Sequence, residues 1–237
     1  MLEKLTDPRY ATISQPSAHA LDLARRVLAE NPAPLMCEVG VGIGATSIEL
    51  CRLLDGRGEI WFFDFAEKLE ELAADLRGAG FGNFRTFGNS RRTFDSYAWT
   101  LAMQLRRRRA RGEVGFIDFA YLDGAHTFFH DAPATMCLKE MVKPGGYLLM
   151  DDYDWTIAVS PTMRPTVNPA ITQDYTEEQI ELSHVEMVCA LLLDEDPTFE
   201  RVDIGYRRQE HRRAYRRVAS PVDGAVPGGA VPGGPRP

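Results

Sequence analysis

The chain has 237 residues, 44 % of which are hydrophobic, and carries a formal net charge of -7 at pH 7. This length is sufficient for one α/β domain around a single buried core. The acidic balance argues against nucleic-acid binding through bulk charge, and no apolar stretch approaches the ~18 residues of a membrane span.

The first 150 residues alternate between helical patterns and short apolar runs. In chain order we predict helix 17–30, strand 34–39, helix 45–54, strand 59–64, helix 66–80, strand 84–88, helix 93–105, strand 116–123, helix 129–142 and strand 146–151. Ser17 is suited to cap the first helix, and Asn31-Pro32 to end it. Strands that alternate with helices of this length predict right-handed crossovers and a parallel sheet.

After Asp152 the pattern changes. Residues 153–174 are rich in proline and have aromatic residues near both ends, and a connection of this length predicts a loop that covers a site. A helix is predicted over 176–193. Two strand-like segments, 199–205 and 211–219, predict an antiparallel hairpin that extends the sheet.

These elements predict one α/β domain over residues 1–219. Its Rossmann-like, doubly wound sheet would be mostly parallel with a C-terminal antiparallel hairpin, and residues 1–33 would form an N-terminal helical segment. Residues 220–237, with their GAVPGG repeat, have little to bury and are predicted to be disordered. The four cysteines lie in apolar runs without a C-x-x-C pair, which indicates reduced thiols and a cytoplasmic protein.

A glycine-rich turn follows the first predicted strand. Residues 38–50 read EVGVGIGATSIEL; alternating glycines allow a ligand close to the backbone, and the following helix points its free N–H groups at that ligand. Dinucleotides and S-adenosylmethionine both bind such turns, and Asp64, at the end of the second strand, suits the ribose of either. Glu38 favours S-adenosylmethionine, because a carboxylate repels a pyrophosphate and attracts an ammonium or a sulfonium.

Three aspartates follow the fourth and fifth predicted strands. Asp123 lies in LDGAH, and Asp151 and Asp152 begin the DDYD sequence. The carboxyl ends of neighbouring parallel strands are where open α/β sheets bind ligands, so we expect these carboxylates to converge. They would repel one another without a cation between them, and oxygen-only ligands suit Mg²⁺, Mn²⁺ or Ca²⁺ better than zinc.

In combination, these motifs resemble a known family. E-x-G-x-G-x-G, the acid after strand two, Gly-Asn-Ser after strand three, D-G-x-H and P-G-G-x-x-x-x-D-D are similar to class I methyltransferases over about residues 34–155. More narrowly, they resemble metal-dependent small-molecule O-methyltransferases of the catechol and macrolide-sugar types. The resemblance implies S-adenosylmethionine as the cofactor and a divalent metal, Mg²⁺ or Mn²⁺. It assigns cofactor contacts to Glu38, Gly40, Gly42, Gly44, Asp64, Asn89, Ser90 and Asp123, and metal ligation to Asp123, Asp151 and Asp152.

The resemblance also implies a general base. Catechol-type enzymes place a lysine three residues beyond the first metal aspartate, whereas this chain has His126 there, as in the sugar-methylating variant. A histidine has an intrinsic pKa near 6.5 and suits proton abstraction at neutral pH. His130, one helical turn further on, is the alternative base.

The predicted function is therefore methylation of a hydroxyl on a sugar, diol or phenol, without a nucleic-acid or membrane partner, and the arginine-rich composition suggests natural-product tailoring. One alternative is an NAD(P)-dependent oxidoreductase, which Glu38 and the lack of a Tyr-x-x-x-Lys pair disfavour. A second alternative is a catalytically inactive binding module on the same fold. The acceptor's identity and a homo-oligomeric state are left open.

Overall fold

The computed structural model describes residues 1–205 and 211–219. Within them, seven strands form one sheet in the order β3-β2-β1-β4-β5-β7-β6. The strands are β1 Leu35–Val39, β2 Glu59–Phe65, β3 Phe84–Asn89, β4 Ile117–Leu122, β5 Val142–Met150, β6 Phe199–Val202 and β7 Arg213–Arg217. The predicted disordered tail, 220–237, lies outside the described residues.

Strand direction confirms the predicted fold class. The five strands β1 to β5 pair in parallel, whereas β7 pairs antiparallel with both β5 and β6. The order of the parallel strands reverses between β1 and β4, so that β2 and β3 lie on one side and β4 and β5 on the other. Such a reversal opens a crevice at the carboxyl ends of the central strands.

Helices cover both faces of the sheet. They are α1 Ala18–Glu30, α2 Ala45–Leu54, α3 Ala66–Gly78, α4 Tyr97–Arg109, α5 Phe128–Met141, α6 Ile171–Asp174, α7 Glu177–Glu181 and α8 His184–Cys189. Side chains on one sheet face pack with α1, α2 and α3, and those on the other with α4, α5 and α8. The strands are accordingly apolar on both faces, as in β2, where Phe62 and Phe63 point to opposite cores and are both fully buried.

The predicted start of the first helix agrees with the structure. The Ser17 hydroxyl accepts a hydrogen bond from the backbone N–H of Ala20, and the helix ends at Glu30 with Asn31 as its C-cap. Two short 3₁₀ turns, Leu2–Thr6 and Pro8–Tyr10, precede it. Among the described residues, no helix is long and apolar enough to span a bilayer.

The single helix predicted over 176–193 is wrong. The structure has two short helices there, α7 and α8, and α8 continues into a π-helical turn, Ala190–Asp194. The interruption has a local cause: Ser183 accepts from the backbone N–H of Glu186 and so begins a new helix, while its hydroxyl donates to the carbonyl of Tyr153 at 2.6 Å. A cap residue inside an apolar helical pattern therefore divides the helix and ties it to the loop after β5.

Candidate active site

A cavity of about 310 Å³ lies at the carboxyl ends of β1, β2 and β4, where the strand order reverses. Seven of the residues predicted from the sequence line it: Gly40, Gly42, Asp64, Asn89, Asp123, His126 and His130. Its lining also includes Gly124 and Ala125 of the LDGAH sequence, and residues that no motif indicated, namely Phe65, Lys68, Asp95, Ser96 and Tyr97. Its position and volume are those of a small-molecule or cofactor site.

The three glycines of the turn have different surroundings. Gly40 adopts φ +85°, and a Cβ there would lie 1.8 Å from the carbonyl oxygen of Asp123, so only glycine allows this contact with the loop after β4. Gly42, at φ +52°, faces open space within the cavity. Gly44 caps α2 and lies against the side chains of Leu2 and Leu72, outside the cavity lining. Gly42 is therefore the glycine that a ligand in the cavity can approach.

Asp64 is fixed at the cavity wall. One carboxylate oxygen accepts from the backbone N–H of Val41 at 3.0 Å and from the Lys68 ammonium at 3.2 Å, and the other accepts from the N–H of Phe65 at 2.6 Å. These bonds join the glycine turn to the start of α3. They also hold the carboxylate in one orientation beside the cavity, as a ribose-binding acid requires.

Glu38 lies beneath the turn rather than in the cavity lining. Its carboxylate accepts from the Ser47 hydroxyl of α2 at 2.6 Å, and the residue is 1 % exposed. Burial raises its pKa to about 8, and the nearby Asp64 adds to the increase. A raised pKa favours the neutral form of Glu38 in the folded chain, which weakens the charge argument that the sequence suggested. A direct contact between Glu38 and the cofactor stays a prediction.

At the end of β3, the structure separates the two residues predicted to contact adenine. Asn89 lines the cavity, is 4 % exposed, and has a buried side-chain oxygen without a hydrogen-bond partner among the described residues. Ser90 turns away, and both its backbone N–H and its hydroxyl donate to Asp95, at 2.7 and 2.6 Å. These bonds lower the pKa of Asp95. Asp95 lines the cavity, whereas Ser90 does not.

A buried acceptor without a partner is costly, and it shows which chemistry fits the cavity. The Asn89 oxygen would be satisfied by an N–H donor such as the amino group of adenine, and the Asp64 carboxylate suits ribose hydroxyls. Phe65, at the cavity wall, offers an aromatic face backed by the Arg91 guanidinium 4.5 Å from its ring centroid. The residues present therefore fit a nucleoside-containing cofactor.

The three predicted metal ligands lie around Tyr121 and His126. The hydroxyl of Tyr121 lies 2.8 Å from a carboxylate oxygen of Asp151 and 3.1 Å from one of Asp123. Burial and the neighbouring carboxylates raise the pKa of Asp123; because its side chain is still 34 % exposed, we regard the neighbouring charges as the main cause. Burial and Asp151 also raise the pKa of Asp152, although His126 opposes the increase.

The Asp151 carboxylate already forms an ion pair with the guanidinium of Arg212. The Nε of Arg212 lies 2.8 Å from one oxygen of Asp151, and a terminal nitrogen donates to the other at 3.2 Å. Within residues 1–205 and 211–219, no group of three Asp, Glu, His or Cys side chains is arranged to hold a metal ion. As they are placed, the three aspartates do not fit a divalent ion.

His126 lies in the loop between β4 and α5, and its backbone has the uncommon φ of +54°. Its Nε2 is 3.5 Å from an oxygen of Asp123 and 3.6 Å from one of Asp152, and its ring faces the ring of Trp155 at 5.8 Å. Asp152 also has a positive φ, +47°. Two non-glycine residues in the left-handed region within one site indicate a geometry maintained by the surrounding structure, which is common at functional sites.

His130 is less directly placed. Its Nδ1 forms a 2.8 Å hydrogen bond with the hydroxyl of Thr127, and its ring packs beside Tyr97 and Phe129. Tyr97 in turn accepts from the N–H of Ala125 and donates to the buried Asp131. The His130 side chain thus belongs to a network that supports the loop carrying His126.

Comparison with known proteins identifies the class of the site. Residues 37–153 match a family model described as a methyltransferase domain. No curated protein was found that matches the chain by sequence.

Solved structures share the fold at low identity. SAH-bound methyltransferase PaMTH1 from Podospora anserina is 13 % identical, with a TM-score of 0.58 over 92 % of this chain and 86 % of that chain. A Staphylococcus aureus protein provisionally named a caffeoyl-CoA O-methyltransferase is 12 % identical, with a TM-score of 0.58 over 92 % of each chain. Cofactor-bound Rv0187 from MTB is 14 % identical, with a TM-score of 0.57 over 92 % of this chain and 85 % of that one.

A doubly wound sheet with a cavity at its switch point defines an α/β protein with the usual ligand-binding position of that fold. Because the family match extends from β1 to the residues after β5 and includes this cavity, the chain contains a methyltransferase domain.

Proposed function

We propose that this methyltransferase transfers the methyl group of S-adenosylmethionine to a hydroxyl of a small molecule, namely a sugar, a diol or a phenol. The observation that supports it best is the position of His126. Its imidazole lines the cofactor cavity and is flanked by the carboxylates of Asp123 and Asp152. A hydroxyl must lose its proton when it is methylated, and a carboxylate-supported imidazole at the cavity suits that step.

In this mechanism, bound S-adenosylmethionine would supply the methyl group from its positively charged sulfur. The leaving group would be S-adenosylhomocysteine, a neutral thioether. Gly42 would let the cofactor approach the backbone, Asp64 would accept hydrogen bonds from ribose hydroxyls, and the Asn89 oxygen would accept one from the adenine amino group. These contacts fix the cofactor relative to the acceptor oxygen, and such alignment accounts for much of the rate of an in-line displacement.

His126 would handle the proton. Its Nε2 takes the proton of the acceptor hydroxyl, and the carboxylates of Asp123 and Asp152 stabilise the imidazolium that forms. Trp155, whose ring lies beside His126, belongs to the 153–174 segment that the sequence predicts to cover the site. An aromatic cover excludes water and strengthens these electrostatic interactions.

The mechanism includes no divalent ion at Asp123, Asp151 and Asp152, because the guanidinium of Arg212 pairs with Asp151. The remaining predictions also stand as proposals: a cytoplasmic enzyme of natural-product tailoring, without a nucleic-acid or membrane partner. The oligomeric state is left open. The methyltransferase family match gives no support to the oxidoreductase alternative.

The experiment measures S-adenosylhomocysteine release from S-adenosylmethionine with a panel of sugars, diols and phenols. Each acceptor is paired with its own O-methylated form, which lacks the reacting hydroxyl but keeps the remaining shape. We expect turnover with at least one free hydroxyl compound and none with its methylated partner. Turnover confined to amine, thiol or carbon acceptors would contradict the proposal, and no turnover with intact cofactor binding would favour the inactive module.

A further inference from the structure

The acidic cluster after β4 and β5, formed by Asp123, Asp151 and Asp152, contains the guanidinium of Arg212. Arg212 contacts both oxygens of Asp151, at 2.8 and 3.2 Å, and donates to the hydroxyl of Tyr121 at 3.3 Å. The side chains of this ion pair are 6 % and 12 % exposed. Arginine keeps its charge at every accessible pH, and its guanidinium matches a carboxylate in shape, so Asp151 is held as a paired anion.

Sheet register determines where this arginine lies. In the antiparallel pairing of β5 with β7, Met150 is opposite Arg213. Continuing that register by one residue places Asp151 opposite Arg212. The pairing extends further, because the N–H of Tyr153 donates to the carbonyl of His211 at 2.9 Å. The C-terminal hairpin thus delivers a guanidinium to the carboxylate that the motif assigns to a metal.

The pair is connected to the rest of the cluster. Tyr121 joins Asp151 to Asp123 through its hydroxyl, and His126 lies between Asp123 and Asp152. Each of the three carboxylates therefore lies beside Arg212, Tyr121 or His126. A divalent ion would have to displace the guanidinium from Asp151 and leave a largely buried positive charge without its partner.

We propose that Arg212 takes the place of the divalent ion, so that this methyltransferase works with an internal guanidinium instead of a metal. This inference rests on the proposed function. Arg212 acts as a positioning residue: it neutralises Asp151 and, through Tyr121, fixes Asp123 beside His126. The cluster then orients the base and the acceptor without metal coordination.

The test is metal binding to the full-length protein, measured by calorimetry with Mn²⁺ after treatment with a chelator and dialysis. Five proteins are compared: the wild type, Arg212→Gln, the double variant Arg212→Gln/Asp152→Asn, Asp151→Asn, and Arg216→Gln as a control on the adjoining strand β7. We expect no saturable Mn²⁺ binding to the wild type or the control. Arg212→Gln frees Asp151 and should gain affinity by about tenfold or more, and the double variant should lose that gain.

Stoichiometric Mn²⁺ binding to the wild type that Asp151→Asn abolishes would overturn the proposal, and so would an Arg212→Gln variant that folds and gains no affinity. If Arg212→Gln does not fold, as judged by circular dichroism, the wild-type measurement still decides. The binding of S-adenosylhomocysteine and the turnover of the wild type in chelator are recorded on the same samples. Loss of cofactor binding would contradict the proposed function, whereas Mn²⁺ binding with intact cofactor binding would contradict only the role of Arg212.

Discussion

At the scale of single residues, His126 carries the most specific prediction. His126→Asn is the suitable change, because asparagine tolerates the left-handed backbone at φ +54° and cannot act as a base. If His126 takes the hydroxyl proton, kcat should fall by ~10²–10⁴-fold, while the affinity for S-adenosylhomocysteine stays within about twofold because the proposed cofactor contacts are made by Gly42, Asp64 and Asn89. Steady-state kinetics and calorimetry measure the two quantities.

His130→Asn is the matched control. His130 also lines the cavity, but its Nδ1 is bonded to Thr127, so its loss should lower kcat far less than the loss of His126. A larger effect at His130 would transfer the base to that residue. The role of the aspartate cluster in orienting the acceptor would be unaffected by that result.

The sequence could indicate the single residues that belong to local motifs, and only those. Gly42, Asp64 and His126 are recognisable because each has a fixed offset from a predicted strand end. Arg212 and Asp95 have no such offset. The position of Arg212 follows from antiparallel register across the sheet, and that of Asp95 from the hydrogen bonds of Ser90 in the loop after β3. Long-range register and loop conformation are not encoded in a short pattern.

At the scale of elements, the contact between β1 and α2 predicts a pH dependence. The pKa of Glu38 is raised by burial from 4.5 to about 8. Between these values the folded chain keeps a proton that the unfolded chain has lost, so the free energy of unfolding falls as the pH rises, by at most about 1.4 kcal/mol per pH unit. The contribution is complete below pH 4.5 and is lost as the pH passes 8.

Glu38→Gln tests this contact, because glutamine is neutral at every pH and still offers an oxygen to Ser47. The variant should have nearly wild-type stability at pH 5 and should be more stable than the wild type at pH 8.5, as measured by urea unfolding at both values. Glu49→Gln, on α2 but paired with Arg52 at the surface, should show no such change. A stability difference that does not vary with pH would mean that Glu38 is not protonated in the folded chain.

The prediction of helices and strands succeeded where one hydrophobic period dominates a segment. It failed where a side chain interrupts that period. The buried strands β1, β2 and β4 are short apolar runs between turn residues, and α2 follows its predicted bounds. The stretch 176–193 has apolar residues at helical spacing throughout, yet it divides at Ser183. A hydroxyl can accept a backbone N–H and start a new helix, and its tie to Tyr153 adds a contact that periodicity cannot reveal.

At the scale of the whole molecule, cofactor binding should stabilise the fold. The cavity joins the ends of β1, β2 and β4 with the starts of α3 and α4, so a ligand there binds the folded chain only. S-adenosylhomocysteine at 100 times its Kd should add about 2.7 kcal/mol to the free energy of unfolding. For a chain of this size that corresponds to a rise in Tm of roughly 5–10 °C.

Differential scanning fluorimetry with S-adenosylhomocysteine and with NADH measures this shift, and Asp64→Asn shows whether it originates at the cavity. Asparagine keeps the shape of Asp64 but removes a charged acceptor, so the affinity should fall by ~2 kcal/mol. At the same ligand concentration, most of the Tm shift should then disappear. Asp154→Asn is the control, since that exposed aspartate pairs with His211 outside the cavity and should retain the full shift. A larger shift with NADH, or an unchanged shift in Asp64→Asn, would mean that the cofactor does not bind as the cavity suggests.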